Sequence, residues 1–158
     1  MTDFSALYQR YAPEVFRFAL YLSGNKTEAE DITSETFVRV WTSAVVIEMK
    51  TVKGYLFTIA RNLYLQSLRK SSRHVSLSPS LADPQPGPQV QTEQKAELRA
   101  ILSRLQTLPE IDRAALLLRT LEEMPYEEIA RMLGISLASA KVKVHRARLS
   151  LASVRISS

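Results

Sequence analysis

Tyr126-Glu-Glu-Ile-Ala-Arg-Met-Leu-Gly-Ile-Ser-Leu-Ala-Ser-Ala-Lys-Val-Lys-Val-His-Arg-Ala-Arg148 holds two helical periods separated by one glycine. Pro125 suits a first helical position because its ring already fixes φ near the helical value. Tyr126, Ile129, Ala130 and Leu133 then fall on one apolar stripe. Gly134 ends this helix, since glycine best tolerates the left-handed conformation just past a helix. Ser136 can cap the next helix by accepting from backbone amides two or three residues on. Leu137, Ala140, Val144, Ala147 and Leu151 continue the inward stripe. The remaining surface carries Ser139, Lys141, Val142, Lys143, His145, Arg146 and Arg148, an arc rich in donors and free of acids, as a helix in the DNA major groove requires. A basic amphipathic helix standing alone is more often a solvated face. The helix before it and the glycine turn complete a helix-turn-helix pattern and favour DNA contact.

Composition bounds the rest. The 158 residues suffice for one ordinary domain or two small ones, and a hydrophobic content of 46% supports a packed core. The net charge of +5 favours an anionic partner, but 21 basic residues stand among 16 acidic ones, so where the charge sits matters more than its sum. The absence of cysteine excludes disulfides, thiolate metal sites and a cysteine nucleophile, and agrees with a reducing cytoplasm. Met-Thr-Asp-Phe-Ser at the start lacks the basic-then-apolar pattern of a leader, and no segment has the length of a membrane span. A cytoplasmic protein without membrane insertion is therefore expected.

Outward from the helix-turn-helix, every periodic segment is helical. Leu98, Ile101, Leu102 and Leu105 define one helix, and Pro109 starts another with Ile111, Ala114, Ala115, Leu118 and Leu121 inward. Between Val75 and Thr92 serines alternate with Leu and Pro, and Pro84, Pro86 and Pro88 break any helix. This reads as a flexible linker (75–92) between an N-terminal domain (1–74) and a C-terminal domain (93–158), with the two blocks separated in space and free to reorient. Before it, Phe4, Leu7, Tyr8, Tyr11, Val15, Phe18, Ala19 and Leu22 form a helical stripe that Pro13 is expected to split. Asn25 to Glu28 offers a capping box for a second helix, whose apolar set is Ala29, Ile32, Phe37, Val40 and Trp41. Ser43 to Thr51 reads either as a loop or as a poorly defined turn. A third helix from about Val52 buries Tyr55, Leu56, Ile59, Ala60, Leu63 and Leu68 and ends in Arg61, Arg69, Lys70 and Arg73, cations that suit either a helix C-terminus or an anionic ligand. No clear period-two strand and no repeat is found, so the fold class is all-α: two small helical domains joined by a Pro/Ser-rich linker.

Catalytic chemistry finds no support. His74 and His145 lack neighbours at metal-ligand spacing, the four glycines are isolated, and no serine occupies a nucleophile elbow. Glu30, Asp31 and Glu35 fit a solvated helix face better than an acid/base pair. No enzyme activity, metal or cofactor is expected.

Glu28-Ala-Glu-Asp-Ile-Thr-Ser-Glu-Thr-Phe-Val-Arg-Val-Trp41, with Gly54-Tyr-Leu-Phe-Thr-Ile-Ala-Arg-Asn62 and the basic helix end, resembles the second region of bacterial sigma factors. Leu108-Pro-Glu through Tyr126-Glu-Glu-Ile-Ala to His145-Arg-Ala-Arg148 resembles the fourth. Together, in order, they resemble the two-domain extracytoplasmic-function (ECF) group of the sigma-70 family. The resemblance implies a stress-type transcription initiation factor. Its partners would be promoter DNA, core RNA polymerase (the clamp helices of the largest subunit and the flap of the second largest) and an anti-sigma factor able to hold the protein at the membrane. It assigns polymerase docking to Asp31, Glu35, Phe37, Arg39 and Trp41, with Asp31 and Glu35 one helical turn apart and Phe37 and Trp41 equally readable as core. For the minus-10 element, Asn62 would read an extruded base, while Arg61, Arg69, Lys70 and Arg73 hold phosphates and the loop from Ser43 to Lys53 helps choose the base. For the minus-35 element it implicates the helix from Ser136, with Ser139, Lys141, Val142, Lys143, His145 and Arg146 on the groove side and Arg148 reaching phosphate. Three departures stand out: Ser34 where relatives usually have glutamine, Gln66 where they have aspartate, and Ala138-Ser139-Ala140 for the common Gly-Thr-Val. The alternatives are a helix-turn-helix regulator that binds duplex operator without polymerase, and an interaction protein that binds polymerase or a regulator without reading DNA.

Overall fold

The computed structural model describes residues 4–42, 52–73 and 93–156, with the side chains of 72, 73 and 153–156 excepted. The loop 43–51, His74 and the linker 75–92 lie outside the described residues. Among those described there are seven helices and no strand: α1 (Phe4–Ser23), α2 (Lys26–Thr42), α3 (Val52–Arg73), α4 (Glu93–Leu105), α5 (Glu110–Thr120), α6 (Tyr126–Leu133) and α7 (Leu137–Ile156).

The first block is a three-helix bundle. Leu7, Tyr11, Val15, Phe18, Ala19 and Leu22 line the buried side of α1. They meet Ala29, Ile32, Phe37 and Val40 of α2 and Val52, Leu56, Phe57, Ala60 and Tyr64 of α3. At its centre the Phe18 and Phe57 rings lie 5.0 Å apart at 59°, a tilted geometry that suits two ring quadrupoles. Two buried threonines on α2 remain satisfied because Thr33 donates to the Ala29 carbonyl and Thr36 to the Ile32 carbonyl, each at 2.7 Å.

Three expectations change here. Pro13 does not split α1, which runs unbroken from Phe4 to Ser23. Pro13 and Gln9 both lie on the exposed side, where water can take the carbonyl that proline leaves unpaired, while the buried stripe passes through in register. Trp41 leaves the buried stripe and is 66% exposed, because the buried positions of α2 end at Val40, and Phe4 packs edge-on against the indole at 4.7 Å. Leu68 is likewise exposed, beyond the part of α3 covered by α1 and α2.

The second block is built on α5, which is buried on nearly all sides, from Asp112 through Leu118. It packs on α6 and α7, with α4 against α7. Gly134 ends α6 with φ of 68°, as its position predicts, whereas Pro125 is the extended N-cap, with ψ of 146°, rather than the first helical residue. The Ser139 amide donates to Ser136 Oγ at 3.0 Å. Ala140, Val144 and Ala147 are fully buried, whereas Leu137 at the first turn is exposed.

The two blocks are not separated in space. They share one continuous core, in which α1 packs on α5 and α4 and the start of α3 abuts α6. A Cβ on Gly54 would stand 2.7 Å from Glu128 Oε2, so a larger residue there would require the end of the Glu128 side chain to move. Polar contacts add to this shared core. Arg113 of α5, 6% exposed, donates to the Leu22 carbonyl at 2.6 Å, the Tyr64 hydroxyl at 2.9 Å, and the Leu105 and Leu108 carbonyls at 2.9 and 3.1 Å. Gln106 Nε2 donates to the Tyr21 carbonyl at 3.1 Å. Carbonyls at the C-terminus of α1, which have no partner within their own helix, are thus taken by side chains of the other block, and the guanidinium meets the negative ends of α1 and α4.

Candidate nucleic-acid interface

Helical geometry divides the residues of α7 into two sets. Lys141, His145 and Arg148, at intervals of four and three, lie exposed on one face beside Val142 and Leu149, which are 54% and 60% exposed. Lys141 Nζ stands 5.9 Å from the Tyr126 ring centroid, with Arg119 at 4.5 Å, so the base of the helix is set by stacked cations. Lys143 and Arg146 turn instead toward Asp112 of α5. Arg146 makes a forked contact to that carboxylate at 3.1 to 3.3 Å, and Lys143 Nζ lies 3.8 Å from Oδ1. The Asp112 side chain is only 5% exposed and that of Arg146 58%. This pair therefore ties α7 to α5 and leaves one edge of Arg146 in solvent. Ser136 is engaged as the cap and Ser139 is half-buried.

On α3, Asn62, Gln66 and Arg69 are exposed at intervals of four and three, with Lys70 alongside. Arg61 is not with them. Its guanidinium is half-buried against the second block, donating to both oxygens of Glu110 at 2.7 and 2.8 Å. The side chain of Arg73 lies outside the described residues. On α2, Asp31 and Glu35 share an exposed face with Val38, and Arg39 pairs with Glu35 at 3.3 Å within the same helix. Phe37 is 2% exposed and packs edge-on against Tyr8 at 4.9 Å. It supports this surface from beneath, while Trp41 stands on it. Of the expected capping box only half forms: the Glu28 amide donates to Asn25 Oδ1 at 2.8 Å, but the Glu28 carboxylate accepts from Ser67 of α3. Among the described residues no group of three or more His, Asp or Glu is placed to hold a metal ion, and no helix is long and apolar enough to cross a membrane.

Sequence reasoning missed a second set of positions that pair with one another or with α7 in the fold: Glu110, Asp112, Arg113, Glu122, Tyr64, Arg17 and Lys53. Glu122, with its side chain 1% exposed, sits between Arg17 at 3.2 Å and Lys53 at 3.3 Å, and Lys53 also lies 3.7 Å from Glu14. Glu110 and Asp112 carry only the ordinary signature of acids at a helix N-terminus, which names no partner.

Two helical blocks with an exposed basic recognition face and an exposed acidic and aromatic face find their counterpart in known families. Residues 7–74 match the model of sigma-70 region 2, and residues 98–151 that of sigma-70 region 4. The chain belongs to the ECF group of the sigma-70 family. ECF sigma factor SigM of Bacillus subtilis is 34% identical over 147 residues, 90% of this chain and 88% of its own. SigE of Mycolicibacterium smegmatis is 36% identical over 159 residues, 96% of this chain, which spans only 61% of that relative's length. Among solved structures, sigma factor RpoE from Bartonella quintana, determined with the anti-sigma factor NepR, superposes with a TM-score of 0.79 at 26% identity, covering 98% of this chain and 97% of its own. In these terms region 2 is α1 to α3 and region 4 is α4 to α7, and the Asp112–Arg146 fork lies wholly within region 4.

Proposed function

We propose that this protein binds core RNA polymerase, directs it to promoters and assists in opening the DNA. The observation that carries the reading is the presence, in order on one chain, of a region 2 whose α3 exposes Asn62, Gln66 and Arg69 and a region 4 whose α7 exposes Lys141, His145 and Arg148. One amide with a donor and an acceptor among cations suits a single strand held by its phosphates. A row of donors on a helix with a glycine-turned support suits the major groove of the upstream element. Val142 and Leu149 between those donors suit thymine methyl groups. Asp31, Glu35 and Trp41 form the surface offered to the polymerase clamp helices, with Phe37 holding α2 in place. No step in this role requires a catalytic group. An anti-sigma factor, such as the one bound to the Bartonella relative, is the expected regulator.

Purified protein added to core polymerase should yield discrete transcripts from fragmented genomic DNA, and sequencing their 5′ ends should return one promoter motif. Replacing Lys141, His145 and Arg148 by alanine should abolish those transcripts while leaving capture of core enzyme intact. Absence of any promoter-specific transcript, with core enzyme bound or not, refutes the proposal.

A further inference from the structure

Among the described residues, three cations of region 2 meet carboxylates of region 4. Arg61 is gripped by Glu110 of α5, and Arg17 and Lys53 by Glu122 just past the end of α5. These three pairs run one way, with the cations on α1 and α3 and the carboxylates on or just past α5, while Arg113 of α5 and Glu14 of α1 place the opposite sign on each side. Arg61 directly precedes Asn62 on α3, and the forked hydrogen bonds it makes to Glu110 are those a guanidinium makes to a phosphate. Two anions cannot hold the same fork at once. Tyr64, one turn along α3, is covered at the same time, its hydroxyl accepting from Arg113.

We propose that Glu110 and Glu122 form an anionic latch that closes the chain on itself without any partner, and that Glu110 competes with DNA phosphate for Arg61. The inference rests on the DNA-binding role of α3 proposed above. Closure and single-strand binding are then mutually exclusive at Arg61. Opening the latch exposes that cation, and a strand engaged at Arg61 holds the blocks apart. Rising salt screens the part-exposed Arg17 and Lys53 and weakens their hold on Glu122.

The chain has no cysteine, so Thr27→Cys on α2 and Arg131→Cys on α6, both exposed, accept a donor and acceptor dye on the full-length protein. Energy transfer should be high in the parent, fall in Glu110→Ala, and recover in the swap Arg61→Glu with Glu110→Arg, with circular dichroism confirming helix content in each. Binding of a labelled single-stranded oligonucleotide, read by fluorescence anisotropy, should tighten about fivefold in Glu110→Ala, at the low end of ordinary coupling between sites. It should stay near the parent value in Glu127→Ala, which removes the same charge from an exposed position on α6. Transfer that is low in the parent, or unchanged by Glu110→Ala, overturns the latch, as does equal tightening by Glu127→Ala. Failure of the DNA reading shows separately. If adding Arg61→Ala to Glu110→Ala leaves oligonucleotide binding unchanged, Arg61 is no DNA ligand and the competition is overturned, although the transfer signal still reports closure.

Discussion

Arg113 joins the ends of three segments, and Arg113→Met isolates what it contributes. Methionine keeps much of the buried volume but removes the charge and every donor. The Leu105 carbonyl would keep a partner, since the Leu108 amide also donates to it at 3.1 Å. The Leu22 and Leu108 carbonyls would each lose the Arg113 donor they have now. A buried acceptor without a partner costs about 1 to 3 kcal/mol. Against this stands a gain, because the folded state no longer has to desolvate a guanidinium. The two combine to a net loss of about 3 kcal/mol, equivalent to a fall in Tm of about 6 to 12 °C for a chain of this size. Tyr64→Phe removes a single acceptor of the same group and should cost about 1 kcal/mol. In a double-mutant cycle the two substitutions should be non-additive by a similar amount.

The assay has a second readout. Trp41, the only tryptophan, stands on α2, so its fluorescence follows region 2, while ellipticity at the helix wavelength follows both regions. In the parent the two urea transitions should coincide, because α1 takes partners from α4 and α5 at its C-terminus. In Arg113→Met they should separate. A Tm within about 2 °C of the parent, with the two transitions still superimposed, refutes the assignment of Arg113 as the residue that couples the regions.

Gly134 has open space where a Cβ would go but a φ of 68°, so Gly134→Ala should cost about 1 kcal/mol through backbone strain alone and Gly134→Asn less, both read by thermal denaturation. Trp41→Ala should change stability by no more than about 1 kcal/mol, the worth of one edge-on aromatic contact, yet weaken capture of core polymerase at least about tenfold in a competition binding assay. Arg146→Ala should lower both stability and binding to promoter duplex, because it leaves the buried Asp112 with only Lys143, whereas Arg148→Ala should lower duplex binding alone and flatten its salt dependence by about one charge.

The parts of the fold legible in the sequence are those decided by neighbours along the chain. The Ala140, Val144 and Ala147 part of the α7 stripe, the left-handed Gly134 and the Ser136 cap each depend on residues within one or two turns and stand where the residues said, while Leu137 at the helix start is exposed. Trp41 shows where such reasoning ends: position 41 continues the spacing from Phe37, but the spacing does not say that the bundle core stops one residue earlier. Arg146 is similar. From the sequence it is one more donor in a basic arc, and only the fold brings Asp112 beneath it, 34 residues away. The contact between regions was invisible for a third reason. It is made by charged side chains, Arg61, Lys53, Arg17, Glu110 and Glu122, each of which has a sufficient local explanation on a helix surface, and no periodicity marks which charges will meet across 49 or 105 residues.

A proline-containing linker predicts separated blocks, but the closed arrangement shows that a tether serves docking equally well. Two regions joined by a short connection meet at an effective concentration of about millimolar, so a contact too weak to hold separate molecules together at micromolar concentration still closes a single chain. Contacts between regions of one chain resemble transient interfaces, which are of that weaker kind. A protease site placed between Pro84 and Pro88 in the dye-labelled full-length protein tests the point without altering either region. Cleavage at nanomolar protein should abolish energy transfer, with ellipticity recorded alongside to follow how far each region stays helical once the shared core is divided. Transfer that survives cleavage would mean the regions bind one another tightly on their own, and a strand of DNA would then have to displace a stable interface rather than a tethered one.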